Sequence, residues 1–165
     1  MRKILTFAMM MCLTTPALAV EYRSPNEVAR EFCNFIDSSR RDIFAPHFKP
    51  LATTSLLKAI RKAENKNSVI ARAYPNEKPP LGDGIPYQSY QDHAPFCRVD
   101  DITYQRRKGE AIIAYIFPDT PEASWTDRLK LKNINGVWQI DDIIYGSDKA
   151  HMTLRQVLKN AFPQE

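Results

Sequence analysis

The chain has 165 residues, 44% hydrophobic and 25% charged, with 23 basic against 19 acidic residues and a net charge of +4. A chain of this size matches one domain and can bury a real core without a second one. With only five glycines and no Gly-x-Ser-x-Gly element, neither a phosphate-cradling loop nor a hydrolase elbow is present.

The first elements concern export. Arg2 and Lys3 precede the apolar stretch Ile4 to Leu13, which is too short to span a bilayer, and Ala17-Leu18-Ala19 has the small-x-small spacing that signal peptidase reads. The expectation is a secretory signal over residues 1–19, cleaved after Ala19, with residues 20–165 forming one domain in the periplasm. Cys12 follows Met9, Met10 and Met11 instead of small residues, which argues against a lipid anchor. Without the two cations of the leader, the 23 basic residues become 21 against 19 acidic, so nucleic-acid binding loses its main argument. Cys33 and Cys97 then remain as an even pair, and an oxidising compartment predicts a disulfide between them. The rival reading, Cys97 as a nucleophile with His93 as its base, needs a free thiol and is disfavoured by export.

Ser24-Pro25-Asn26-Glu27 predicts a capping box opening a helix, with Val28, Phe32, Phe35 and Ile36 on its apolar face, running to about Ser38. A second helix is expected from Thr54, weakening at Asn65 to Asn67. From Tyr74 to Pro95, five prolines and two glycines exclude long helix and central strand and predict a long loop of the kind that carries recognition. Strands are expected over Phe96 to Gln105 and Glu110 to Phe117, with a turn at Lys108-Gly109. The second of these strands is apolar on both sides, as a central strand would be. A third strand alternates Trp125, Leu129 and Leu131 against Thr126, Arg128, Lys130 and Lys132, and Asn135-Gly136 turns the chain into a fourth, bulged at Asp141-Asp142. Thr153 and Gln156 form a capping box for a short final helix. The fold class is therefore α+β: N-terminal helices packed on a curved antiparallel four-stranded sheet, with a short C-terminal helix.

The order of elements resembles the nuclear transport factor 2-like cone. Pro80 to Pro86, the stretch Gly136-Val137-Trp138-Gln139-Ile140-Asp141-Asp142-Ile143 and the helix Thr153 to Leu158 resemble a family of exported bacterial proteins of unknown function with that fold. The resemblance implies the cone but no catalytic motif, because fold does not fix function.

The histidines His47, His93 and His151 are scattered, so no metal site and no cofactor are expected. Asp127 shares a strand face with Trp125, Leu129 and Leu131. It is read either as a desolvated carboxyl inside the cone or as an acid that reaches water or an arginine at the strand end. Asp100-Asp101 and Asp141-Asp142 are expected to bond backbone N–H groups or to pair with Arg98, Arg106 or Arg128. Lys58, Arg61, Lys62 and Lys66 mark a basic helix face, read as solvated. Tyr87, Tyr90 and Phe96 concentrate aromatics around the proline-rich loop, either to pin it or to anchor a partner. Two readings of function follow. In the preferred one the chain has no catalytic residues and binds a protein partner through Asp83, Tyr87, Tyr90, Asp92 and His93. Its concrete form is a periplasmic immunity protein that blocks a cell-wall-attacking toxin delivered by type VI secretion. In the alternative, Tyr115, Trp125, Asp127 and Trp138 line a small-molecule or enzymatic pocket inside the cone.

Overall fold

A computed structural model describes residues 23–39, 46–82, 84–90, 94–146 and 152–163. The leader 1–19, Asp83, Asp92, His93 and His151 lie outside the described residues. The elements are α1 (Pro25–Ser39), a 3-10 turn (Pro46–Leu51), α2 (Thr54–Ala73), β1 (Phe96–Gln105), β2 (Lys108–Ile116), a second 3-10 turn (Pro121–Ala123), β3 (Trp125–Ile134), β4 (Val137–Ile144) and α3 (Leu154–Asn160). The class is α+β, and the four strands form one antiparallel sheet in the order β1-β2-β3-β4.

Each helix begins where its capping residues dictate. Ser24 Oγ accepts the Glu27 N–H while the Glu27 carboxylate accepts the Ser24 N–H, satisfying donors that the first turn leaves unpaired. Thr53 caps α2 by accepting the Leu56 N–H, and its own N–H bonds the Ile140 carbonyl at 2.9 Å, which docks the start of α2 on β4. Thr153 and Gln156 close the expected capping box on α3. The second helix does not weaken at Asn65 to Asn67 but runs to Ala73. Tertiary contact overrides propensity there: Asn67 Oδ1 accepts the Leu81 N–H, so the asparagine holds the following segment instead of competing with its own backbone.

The β1–β2 turn also falls elsewhere than the glycine suggests. It occupies Arg106-Arg107, and Gly109 lies inside β2. A Cβ at Gly109 would stand 2.8 Å from the Tyr104 Cβ and 2.9 Å from the Thr103 carbonyl, so the glycine serves close strand approach and not a turn. At Asn135-Gly136, by contrast, φ values of 54 and 91 bear out a left-handed turn. The β4 bulge falls at Asp141, between the Lys130↔Asp142 and Leu131↔Ile140 pairs.

The register divides the sheet into two faces. Ala111, Ile113, Tyr115, Leu129, Leu131, Ile140 and Ile143 are buried and share one core with Val28, Phe32, Phe35, Leu56, Ile60 and Leu154. On the opposite face lie Arg98, Lys108, Glu110, Arg128, Lys130 and Lys132, as alternation requires. The outer edge of β4 is covered by bridges to Arg23, Ala52 and Thr153. At the other edge the Cys33–Cys97 disulfide joins α1 to β1, with the two Cα atoms 5.3 Å apart. The bond closes a loop across 64 residues of sequence, which on the chain-entropy argument stabilises the fold by about 4 kcal/mol. Replacing both cysteines by alanine is expected to lower the unfolding free energy by that amount in urea denaturation. A loss below about 1 kcal/mol would show that the constraint on the unfolded chain is not what the bond contributes.

Candidate functional site

β3 opens with Trp125-Thr126-Asp127, and strand alternation sends Trp125 and Asp127 to the helix-covered face. Asp127 stands opposite Ile113, Trp125 stands opposite Tyr115, and Asp127 is 0% exposed. A carboxyl in such surroundings costs several kcal/mol unless donors meet it. The donors come from two distant pieces of chain. Ser89 donates its N–H to Oδ2 at 2.9 Å and its hydroxyl to Oδ1, and Gly146 donates its N–H to Oδ1 at 2.9 Å. Gly146, at φ 67, takes a left-handed conformation that glycine adopts without steric cost. Among the described residues no arginine pairs with Asp127, and a backbone and hydroxyl clamp stands where one reading foresaw a strand-end ion pair.

The same segment is fastened at further points. The Tyr145 hydroxyl donates to the Pro86 carbonyl, and Leu81 donates its N–H to Asn67 on α2 at 2.9 Å. Tyr87 packs between Phe35, 5.0 Å away edge to face, and Phe48, 4.4 Å away, so its ring anchors the segment inward. Tyr90 does the opposite: it is 58% exposed and rests edge-on against Trp125 at 5.1 Å, and Trp125 in turn stacks on Tyr115 at 4.8 Å.

Burial dominates the electrostatics. It raises the Asp127 carboxyl above the ordinary aspartate value, while the bonds from Ser89 and Gly146 pull partly the other way. Burial, followed by the neighbouring Asp127, pushes the Tyr115 phenol well up, and burial does the same to Tyr87 and Tyr145. Tyr115 Oη and Trp125 Nε1 lie close enough to the carboxyl to influence its ionisation or be influenced by it. Both are buried, and Asp127 is the acceptor that each of them faces, without full hydrogen-bond geometry. With three donors on its two oxygens, the Asp127 carboxylate here holds chain together.

The remaining candidate residues fall in separate places. Trp138 is buried at the far end of the sheet, opposite Asn133 and edge-on to Tyr104 at 5.5 Å, so it does not join Tyr115, Trp125 and Asp127. Phe96 is 57% exposed and paired with Ile116 on the outer face, away from Tyr87 and Tyr90. Asp100 pairs with Arg98 at 2.9 Å, as one reading of the acids foresees. Asp141 instead takes Arg155 and the Thr53 hydroxyl, and Asp142 accepts the Arg155 N–H at the start of α3. The bulge explains this, because it turns the acid pair toward the helix termini and away from the arginines of the sheet. On α2, Lys58, Arg61 and Lys62 are exposed, and Lys66 lies over the Phe162 ring at 5.9 Å. Ser89, Tyr145 and Gly146 escape the sequence reading. A glycine two residues past the last strand was the available signal, but nothing local announces its partner.

Asp127→Asn presents an amide where three donors converge, and is expected to cost about 2–3 kcal/mol. Because the folded-state pKa lies above the unfolded one, the folded chain keeps this proton to higher pH than the unfolded chain does. The contribution is therefore fully present below the unfolded value and declines as pH rises through the folded value. Urea denaturation of both proteins across pH should show the gap between wild type and Asp127→Asn wider in acid than at neutral pH. A gap that widens with rising pH would contradict the raised carboxyl. No family model, curated protein or solved structure matches the chain, so the site is read from its own chemistry.

Proposed function

We propose that the chain is a binding protein of the bacterial periplasm without catalysis of its own, which presents the clamped segment 84–90 to a protein partner. Its most concrete form is an immunity protein that neutralises an antibacterial toxin delivered by type VI secretion and acting on the cell wall. The observation that carries the reading is Tyr90: more than half exposed, yet held against Trp125 in a segment tied to α1, β3 and the chain leaving β4. An aromatic ordered before binding buries area with little loss of entropy, which is what a tight stoichiometric inhibitor requires. The Cys33–Cys97 bond suits an oxidising compartment, and the leader supports export. Helices gathered on one face of the antiparallel sheet support a nuclear transport factor 2-like cone as the fold.

Capture from periplasmic extract tests the reading. Wild type is expected to retain an exported toxin encoded beside its gene, and Tyr90→Ala to weaken that retention about tenfold or more while urea denaturation stays unchanged. Equal retention by both proteins would exclude the segment as the recognition element.

A second reading has its own observation, the pair of buried donors at Tyr115 Oη and Trp125 Nε1, which face the Asp127 carboxyl without a well-formed hydrogen bond among the described residues. A small molecule bearing a hydrogen-bond acceptor would satisfy both if the Ser89 clamp opened. Tyr115→Phe should then abolish the rise in Tm that such a ligand produces in wild type, and an undiminished rise would remove Tyr115 from that role.

A further inference from the structure

Lys108 and Lys132 stand directly opposite one another in the β2–β3 ladder. Both lie on the sheet face turned away from the helices, and both are exposed. Like charges so placed oppose folding, and an acidic or neutral residue at either position would relieve them. A second local rule is broken beside them. The β1–β2 turn passes through Arg106 and Arg107, with Arg106 at φ 55, a left-handed position that glycine, asparagine or aspartate occupies at lower cost.

The neighbouring hairpin shows the favoured solution. β3 and β4 are joined through Asn135-Gly136, at the same end of the sheet, and the Asn133 N–H bonds the Arg107 carbonyl at 2.9 Å. Both hairpins thus put a left-handed residue first in the turn, one an asparagine that suits it and one an arginine. Lys130 lies on the same outer face, opposite Glu110, whose carboxylate pairs with Arg128 at 3.6 Å. Asp142 faces Lys130 across the β3–β4 ladder, but its Oδ1 accepts the Ile143 and Arg155 N–H groups. Among the described residues, Lys108, Lys130 and Lys132 have no carboxylate at ion-pair distance.

We propose that this end of the outer face, formed by Arg106, Arg107, Lys108, Lys130 and Lys132, is a docking surface for an acidic protein. Departures from local rules that concentrate on one feature mark function more often than chance, and both departures here add positive charge at one place. Charge complementarity sets the partner's sign, since unpaired cations on a rigid face attract and orient an acidic surface. Thr103, Gln105 and Gln139 on the same face bond carboxylates and amides and provide no aromatic ring for stacking a nucleic-acid base. Glu110 within the face repels a uniformly anionic lipid sheet or polyphosphate while a patterned protein surface avoids it. The proposal rests on the binding-protein reading for the class of partner. It uses a separate surface, because Tyr90 sits on Trp125, at the opposite end of β3 from Lys132.

The test uses the disulfide-bonded protein and labelled poly-L-glutamate as the acidic probe. Wild type is expected to bind it with marked salt dependence, and the variant Lys108→Gln/Lys130→Gln/Lys132→Gln to bind about tenfold more weakly with a flatter salt response. Lys132→Glu alone should weaken binding while raising Tm by about 2 °C, since it sets opposite charges across the ladder. Tyr90→Ala should bind the probe as wild type does, so failure of the segment and failure of this face are read separately. Equal affinity of wild type and the triple variant, or tighter binding of a DNA duplex or of phosphatidylglycerol vesicles than of poly-L-glutamate, overturns the proposal.

Discussion

A carboxylate with no exposed surface must be met by donors, and at Asp127 that requirement organises much of the molecule. The donors that close well-formed hydrogen bonds on it come from outside β3. Ser89 and Gly146 supply them, one from the proline-rich segment and one from the chain leaving β4. Meeting the charge therefore brings two distant pieces of backbone to the same end of the sheet. Tyr145, adjacent to Gly146, then reaches the Pro86 carbonyl, and Tyr87 turns inward toward Phe35 and Phe48. Tyr90, one residue past the clamp, is left on the outside.

The two edges of the sheet are managed by different physics. Along β4 the Asp141 bulge interrupts the ladder and lets two neighbouring acids do separate work. Asp141 binds Arg155 and Thr53, while Asp142 receives the N–H of the first turn of α3, where a negative charge is favoured. Backbone bonds to Arg23 and Thr53 then cover an edge that would otherwise be open to another strand. Among the described residues no such backbone bonds cover β1, which is held to α1 by a covalent bond.

This separation leaves the two faces of the sheet with different duties. The inner face carries the core and the clamp, so substitutions there act through stability and through the position of segment 84–90. The outer face is free of that duty over much of its area, and its side chains can be selected for charge. The near balance of cations and anions in the whole chain conceals how unevenly the register distributes them.

Local chemistry by itself determined the elements whose signals lie within a few residues. The Ser24–Glu27 and Thr153–Gln156 boxes, the Asn135-Gly136 turn and the alternation of β3 are readable because donor, acceptor and φ preference sit close together in sequence, and the Cys33–Cys97 pair, 64 residues apart, is readable only by counting cysteines. Asp127 was legible as an inward acid for the same reason, since strand alternation is a local rule. What met that acid was not legible, because Ser89 lies 38 residues before it and Gly146 19 after it, and no local pattern links them. Gly109 misleads in the same way: its lack of a side chain serves contact with Tyr104 and Trp138, which only strand pairing brings near. Tertiary structure alone likewise parted Trp138 from Trp125 and set Lys108 against Lys132. Register is a property of two strands, and a single strand's sequence specifies which face a side chain takes but not what stands opposite it.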